Sequence, residues 1–181
     1  MAVTVQMSEL NLQPIQFLLP ATLPTLRSKR LVLRAMEGRD ADALLDLYGD
    51  PLVMRYTDEE PFPDLDTVAL MLASVDRLLA NGQSLEWAIV ARDGHLVGTC
   101  GLHSFDPSLR TAELGCLLKP SVWGRGYMAE AIGLLTGLAK DVLGLQRLTA
   151  DVSGENDRAQ RFFRKLGYRV EPSGMLAINL D

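Results

Sequence analysis

Residues 123–130 read Trp-Gly-Arg-Gly-Tyr-Met-Ala-Glu and open an amphipathic helix directly after an apolar strand. Two glycines at such a turn let main chain come close to a ligand. The first helical turn adds unbonded N–H groups at the positive end of its dipole. The chemistry this predicts is phosphate binding by backbone. Gly124, Gly126 and Ala129 also fit G-x-G-x-x-G/A, the dinucleotide fingerprint. That fingerprint opens a βαβ unit near the start of a parallel domain. Here only 52 residues follow Ala129, and the preceding strands read as hairpins rather than crossovers. A bare helix start without a ligand is the plain alternative.

Two residues upstream have the chemistry for proton transfer. Glu113 interrupts an apolar strand, where a carboxylate is costly without a purpose. His103 ends the preceding strand with an intrinsic pKa suited to the task. A salt-bridged strand-edge Glu113 and a solvated turn His103 are their plain alternatives. Tyr56 and Phe62 lie in a Pro-punctuated loop suited to a substrate lid. Trp87 is a further candidate wall, with core packing as the competing role. Cys100 and Cys116 sit in apolar runs and read as buried free thiols, neither a disulfide framework nor a metal cluster. With only two histidines, no zinc site is expected.

The elements that must position these groups follow from periodicity. Residues 30–34 alternate as a strand, and Asp40 caps a short helix carrying Leu44, Leu45 and Tyr48. Val68, Met71, Leu72, Val75 and Leu79 mark a second helix, capped by Asp66 and ended at Gly82. Residues 87–91 and 96–103 flank an Asp93-Gly94 hairpin turn, and 111–118 is the next strand. The glycine turn and its helix follow, with Ala131, Leu134, Leu135, Leu138 and Val142 on one face. Then come a strand at 148–152, a helix capped by Asn156 or Asp157 and ended at Gly167, and two short strands. The order β-α-α-β-β-β-α-β-α-β-β predicts an α+β fold of about seven strands and four helices in a mostly antiparallel sheet.

At 181 residues the chain suits one domain, residues 25–181, preceded by a tail or arm over 1–24. The net charge of −5 argues against nucleic acid as a partner and is compatible with a cationic substrate. Three prolines break the uncharged stretch 10–26, so it predicts no membrane span, and no basic n-region precedes it. A cytoplasmic protein, monomer or homodimer, is expected.

This element order, with a glycine turn after the fourth strand, resembles the GNAT superfamily of acetyl-CoA-dependent N-acyltransferases. The segments LRSKRLVLRAM at 26–36, ADALLDLYGDPLVMRY at 41–56 and EWAIVARDGHLVGTCGL at 86–102 are similar to the branch of ribosomal-protein N-terminal acetyltransferases. So are AELGCLLKPSVWGRGYMAEA at 112–131 and NDRAQRFFRKLGY at 156–168. The resemblance spans residues 25–181 and implies the GNAT fold.

The resemblance also implies roles. Acetyl-CoA would place its pyrophosphate on the backbone of Trp123, Gly124, Arg125, Gly126, Tyr127, Met128 and Ala129, with Arg125 adding charge. Leu117 and Leu118 would pair through backbone with the pantetheine arm, as an added strand does. Asn156 would lie near the thiol end, although an N-cap role competes. The serine usual three residues later is Ala159, and the tyrosine that some members use as general acid falls at Phe163. The implied reaction is direct attack of a primary amine, a protein N-terminus or a small molecule, on acetyl-CoA in a ternary complex. Glu113 or His103 would be its base, and no metal takes part. A scaffold that senses acyl-CoA without turnover is the alternative.

Overall fold

Alternation along the strands builds one sheet in the computed structural model, which describes residues 19–180. Its strands are β1 (Leu26–Arg27), β2 (Leu31–Arg34), β3 (Ser84–Ala91), β4 (Leu96–Asp106), β5 (Thr111–Leu118), β6 (Arg147–Ala150), β7 (Arg169–Val170) and β8 (Leu176–Asn179). They lie in the order β1-β2-β3-β4-β5-β6-β8-β7. Only β5 and β6 run parallel. The helices are α1 (Ala41–Tyr48), α2 (Pro51–Met54), α3 (Leu65–Ala80), α4 (Tyr127–Gly137) and α5 (Asp157–Lys165). The fold is the expected α+β GNAT architecture, with eight strands and five helices where about seven and four were expected. The extra strand is the two-residue β1, and the extra helix is the single turn α2. Asp50 starts α2 by accepting the Leu52 N–H at 2.8 Å, with Pro51 at its first position. Both elements are too short for periodicity to reveal.

The two faces of the sheet bury different helices. Leu85, Trp87 and Ile89 of β3 and Cys100 and Leu102 of β4 pack against Ala131 and Leu135 of α4 and Phe163 of α5. Ala88 and Val90 point the other way, onto Leu44 and Leu47 of α1 and Val68 of α3. Leu19 and Leu23 lie against the larger core, and the Trp87 Nε1–H donates to Pro24 O at 2.8 Å. That part of the expected arm is therefore laid on the core, while residues 1–18 lie outside the described residues. Among the described residues no helix is long and apolar enough to cross a membrane.

Local differences have simple causes. Asp64, not Asp66, caps α3 by accepting the Thr67 N–H at 2.9 Å. Asp40 stands at the start of α1 without a capping bond. Its carboxylate instead accepts two bonds from Arg34, at 2.7 and 2.8 Å, which hold it below the usual carboxylate range. α4 runs on into a π turn, Leu138–Val142, where the Leu143 N–H reaches Leu138 O at 3.0 Å. The extra residue rotates the end of the helix out of the α-helical period, so Val142, expected inside, is 70% exposed.

Gly133 lies exposed in the interior of α4, and a Cβ there would meet nothing within 4 Å. Gly133→Ala should therefore stabilise the fold by about 0.5–1 kcal/mol, read as a higher urea midpoint. A lower midpoint would contradict this packing.

Candidate functional site

The parallel pair at the centre of the sheet is short. β5 meets β6 only at Thr111↔Arg147, Ala112↔Leu148 and Glu113↔Thr149. Beyond Glu113, β5 continues to Leu118 with no strand on that side among the described residues. The sheet therefore opens into a gap. Lys119 N–H returns to Val97 O on β4 at 2.9 Å. Alternation then turns the peptide groups of Glu113, Gly115 and Leu117 toward β4, and those of Leu114, Cys116 and Leu118 into the gap. This corrects the expectation for Leu117, whose N–H and C=O belong to the β4 ladder. Leu118 does face the gap, but its carbonyl already accepts the Trp123 Nε1–H at 2.9 Å.

The glycine turn lies at the end of this gap. Gly124 and Gly126 have φ of +76° and +78°, a region side chains disfavour. Gly126 begins α4 without any capping side chain. The amides of Gly126, Tyr127, Met128 and Ala129 meet no acceptor among the described residues. This cradle fits an anionic ligand held by backbone.

Arg30 secures the turn from behind. Its Nη1 donates to Arg125 O at 2.8 Å, its Nε reaches Glu130 at 2.6 Å, and its guanidinium lies 4.9 Å from the Tyr127 ring centroid. Glu130 also accepts from the Ser28 hydroxyl and the Arg30 N–H. Ser28 first, and then Arg30, hold its carboxyl below its usual range. Sequence reasoning missed Arg30, because its partners lie about a hundred positions away in the chain. Arg125 itself has an exposed side chain.

On the far side of the gap, the Arg158 guanidinium stacks 3.3 Å from the Trp123 ring centroid, bridging α5 to the turn. Asn156 caps α5, with Oδ1 accepting the Ala159 N–H at 3.1 Å. Phe163 is buried edge-on between Phe162 and Tyr168.

The α1–α3 face carries a second group of polar residues. Register aligns three rows across β3, β4 and β5: Ser84, His103 and Glu113; then Glu86, Gly101 and Gly115; then Ala88, Thr99 and Leu117. The middle row has only one side chain. Glu86 lies flat over Gly101, where any Cβ would overlap its carboxylate. Ser84 Oγ–H donates to that carboxylate, and burial raises its pKa to about 7. The Tyr48 hydroxyl pairs with Thr99 Oγ1 at 2.9 Å, and Phe62 stacks on Tyr48 with centroids 5.0 Å apart. Burial first pushes the Tyr48 phenol up to about 12.

The structure thus brings Glu113, His103 and Phe62 to one face. Glu113 is half-buried and directly opposite His103, whose Nδ1 lies 3.0 Å from Ser104 Oγ. Tyr56 stands exposed at the rim, with Arg55 5.3 Å from its ring centroid. Trp87 is corrected: it has no exposed surface and points to the α4 side, so it walls nothing. Sequence reasoning also missed Glu86, although a carboxylate in an apolar strand carries the same signal there as at 113. Among the described residues no group of three or more His, Cys, Asp or Glu could hold a metal ion.

Known proteins resemble this chain across most of its length. The family model described as an acetyltransferase (GNAT) domain matches residues 30–169. An uncharacterized N-acetyltransferase, p20, of Bacillus licheniformis is 32% identical over 150 residues, 82% of this chain and 84% of that protein. The spermidine N(1)-acetyltransferase of Escherichia coli K12 is 30% identical over 77% of this chain and 73% of its own. In structure, the spermidine N-acetyltransferase of Vibrio cholerae, solved with CoA and spermine, superposes with a TM-score of 0.74. It covers 84% of this chain and 97% of its own at 20% identity. A family model spanning three quarters of the chain and relatives that share its sequence over most of their length leave one placement: the protein belongs to the GNAT acetyltransferases and is an acetyl-CoA-dependent acyltransferase.

Proposed function

We propose that the protein acetylates a primary amine of a small molecule with more than one ammonium group, by direct attack on acetyl-CoA. The observation that carries the donor half is the open gap beside β5, ending at the uncapped glycine turn. The pyrophosphate would rest on the amides of Gly126 to Ala129, beside Gly124, Arg125 and Trp123. The pantetheine arm would run along the gap-facing peptides of Cys116 and Leu118, with the Asn156 side-chain nitrogen near its thiol end. An N–H in that row would steady the thioester oxygen as charge develops.

The acceptor would enter from the α1–α3 face, between Phe62, Tyr56 and Glu86. Residues 40–66, which cover this side, contain nine Asp or Glu and one Arg. That field favours a polycation, as do relatives named for spermidine. Such an amine is an ammonium ion at neutral pH, so a base must take its proton first. Glu86 is the base we assign: its carboxylate lies over Gly101 on β4, and the His103 ring lies over Gly115 on β5, between that carboxylate and the gap. His103 and Glu113, one row away, would extend the relay. The proton moves to Glu86, and the neutral nitrogen attacks the carbonyl carbon.

Free-thiol release from acetyl-CoA, measured with spermidine, spermine, small monoamines and N-terminal Ala or Ser peptides, tests this. Polyamines should turn over fastest. Preference for peptides would move the acceptor to protein N-termini, and no thiol release with any amine would favour the sensor.

A further inference from the structure

Tyr168 follows Gly167, the φ +94° residue that ends α5. Its side chain is 3% exposed, and its ring meets Phe163 edge-on with centroids 5.0 Å apart. Its hydroxyl is buried with no hydrogen-bond partner among the described residues. An unpartnered buried hydroxyl is destabilising relative to phenylalanine, so its presence asks for a ligand.

The surroundings say where that ligand would lie. Tyr168 belongs to the core on the α4–α5 face. Burial first, and then the Cys116 thiol, raise its phenol above the ordinary value, so it keeps its proton. Cys116 sits on the unpaired length of β5, with its peptide group turned into the gap. The orphan hydroxyl therefore lies toward the Cys116 side chain, on the face opposite Glu86 and beside the strand that borders the gap.

We infer that the Tyr168 O–H donates a hydrogen bond to the sulfur of CoA. This rests on the proposed seat of acetyl-CoA in the gap. The hydroxyl is carried by the ring packed against Phe163, not by residue 163 itself. As the nitrogen–carbon bond forms and the carbon–sulfur bond breaks, the electron pair goes to sulfur. Tyr168 stabilises that charge without giving up its proton. The sulfur then takes the second proton of the attacking nitrogen, and Glu86 releases the first to water. The products are the amide and the CoA thiol. Proton acceptor and thiolate donor thus stand on opposite faces of the sheet, with the thioester between them.

Tyr168→Phe tests the assignment through binding as well as turnover. At alkaline pH, where the CoA thiol ionises, the variant should bind CoA about tenfold more weakly. Its affinity for desulfo-CoA, which lacks the sulfur, should be unchanged. Turnover should fall with the KM for the amine unaltered. Without ligand, Tyr168→Phe should melt at the same temperature as wild type or higher. Equal effects on CoA and desulfo-CoA, no effect on either, or a lower melting temperature would each overturn the proposal. If the wild-type protein binds neither molecule, it is the seat of acetyl-CoA in the gap that fails.

Discussion

Gly126→Val is expected to weaken acetyl-CoA binding by about a hundredfold or more while leaving a folded protein. Two effects add. Valine at φ +78° strains the backbone by roughly 1–3 kcal/mol, against 1.4 kcal/mol per tenfold in affinity. Its Cβ would also stand 3.3 Å from Arg30 Nη2, crowding the guanidinium that secures the Arg125 carbonyl. The amides of α4's first turn then lose both their aim and their clearance. Titration calorimetry with acetyl-CoA measures the loss, with Gly133→Ala as a control on the same helix. Wild-type affinity in Gly126→Val would remove the cradle from the cofactor site.

Glu86→Gln is the second large effect, and it separates by pH. The folded protein holds the Glu86 proton up to about pH 7, well above the ordinary 4.5. That contribution to stability is complete below about pH 4.5 and lost as the pH rises through 7. Glutamine cannot ionise. At pH 8 the variant should be more stable than wild type by on the order of 1–3 kcal/mol, and near pH 4 the two should match. The groups around Glu86 are Ser84 bonded to it on β3, Tyr48 on α1, and His103 and Glu113 one row away on β4 and β5, with Cys100 behind it. Activity should move in the opposite sense. At pH 8, kcat/KM should fall about 10²–10⁴-fold, the range of general base catalysis. The wild-type limb near pH 7 should vanish, leaving only the amine's own ionisation. A stabilised variant with a wild-type pH profile would assign the base to His103 or Glu113.

The features legible in the chain divide by range. The glycine turn, the Asn156 cap and the stops at Gly82 and Gly167 are local chemistry, and the structure reproduces them. Trp87 and Leu117 went astray by parity. Alternation gives two faces and two directions of hydrogen bonding, but not which of them the site uses. Glu86 is legible as an oddity in an apolar strand; that Gly101 clears room for its carboxylate is a cross-strand fact. Arg30, the β5–β6 gap and the contact of Phe163 with Tyr168 depend on packing that no window of sequence contains. Val142 shows the opposite failure, a clean helical period broken by one extra residue.

The three-pair seam between β5 and β6 divides the molecule unequally. Within the sheet, β6, β8 and β7 pair with the preceding strands through those three residue pairs, while α5 shares the core of β3, β4 and α4. The seam closes the gap at one end, and the Arg158–Trp123 stack spans it at the other. A molecule lying between the two would bind both halves at once, so its grip and the rigidity of the whole sheet become one quantity.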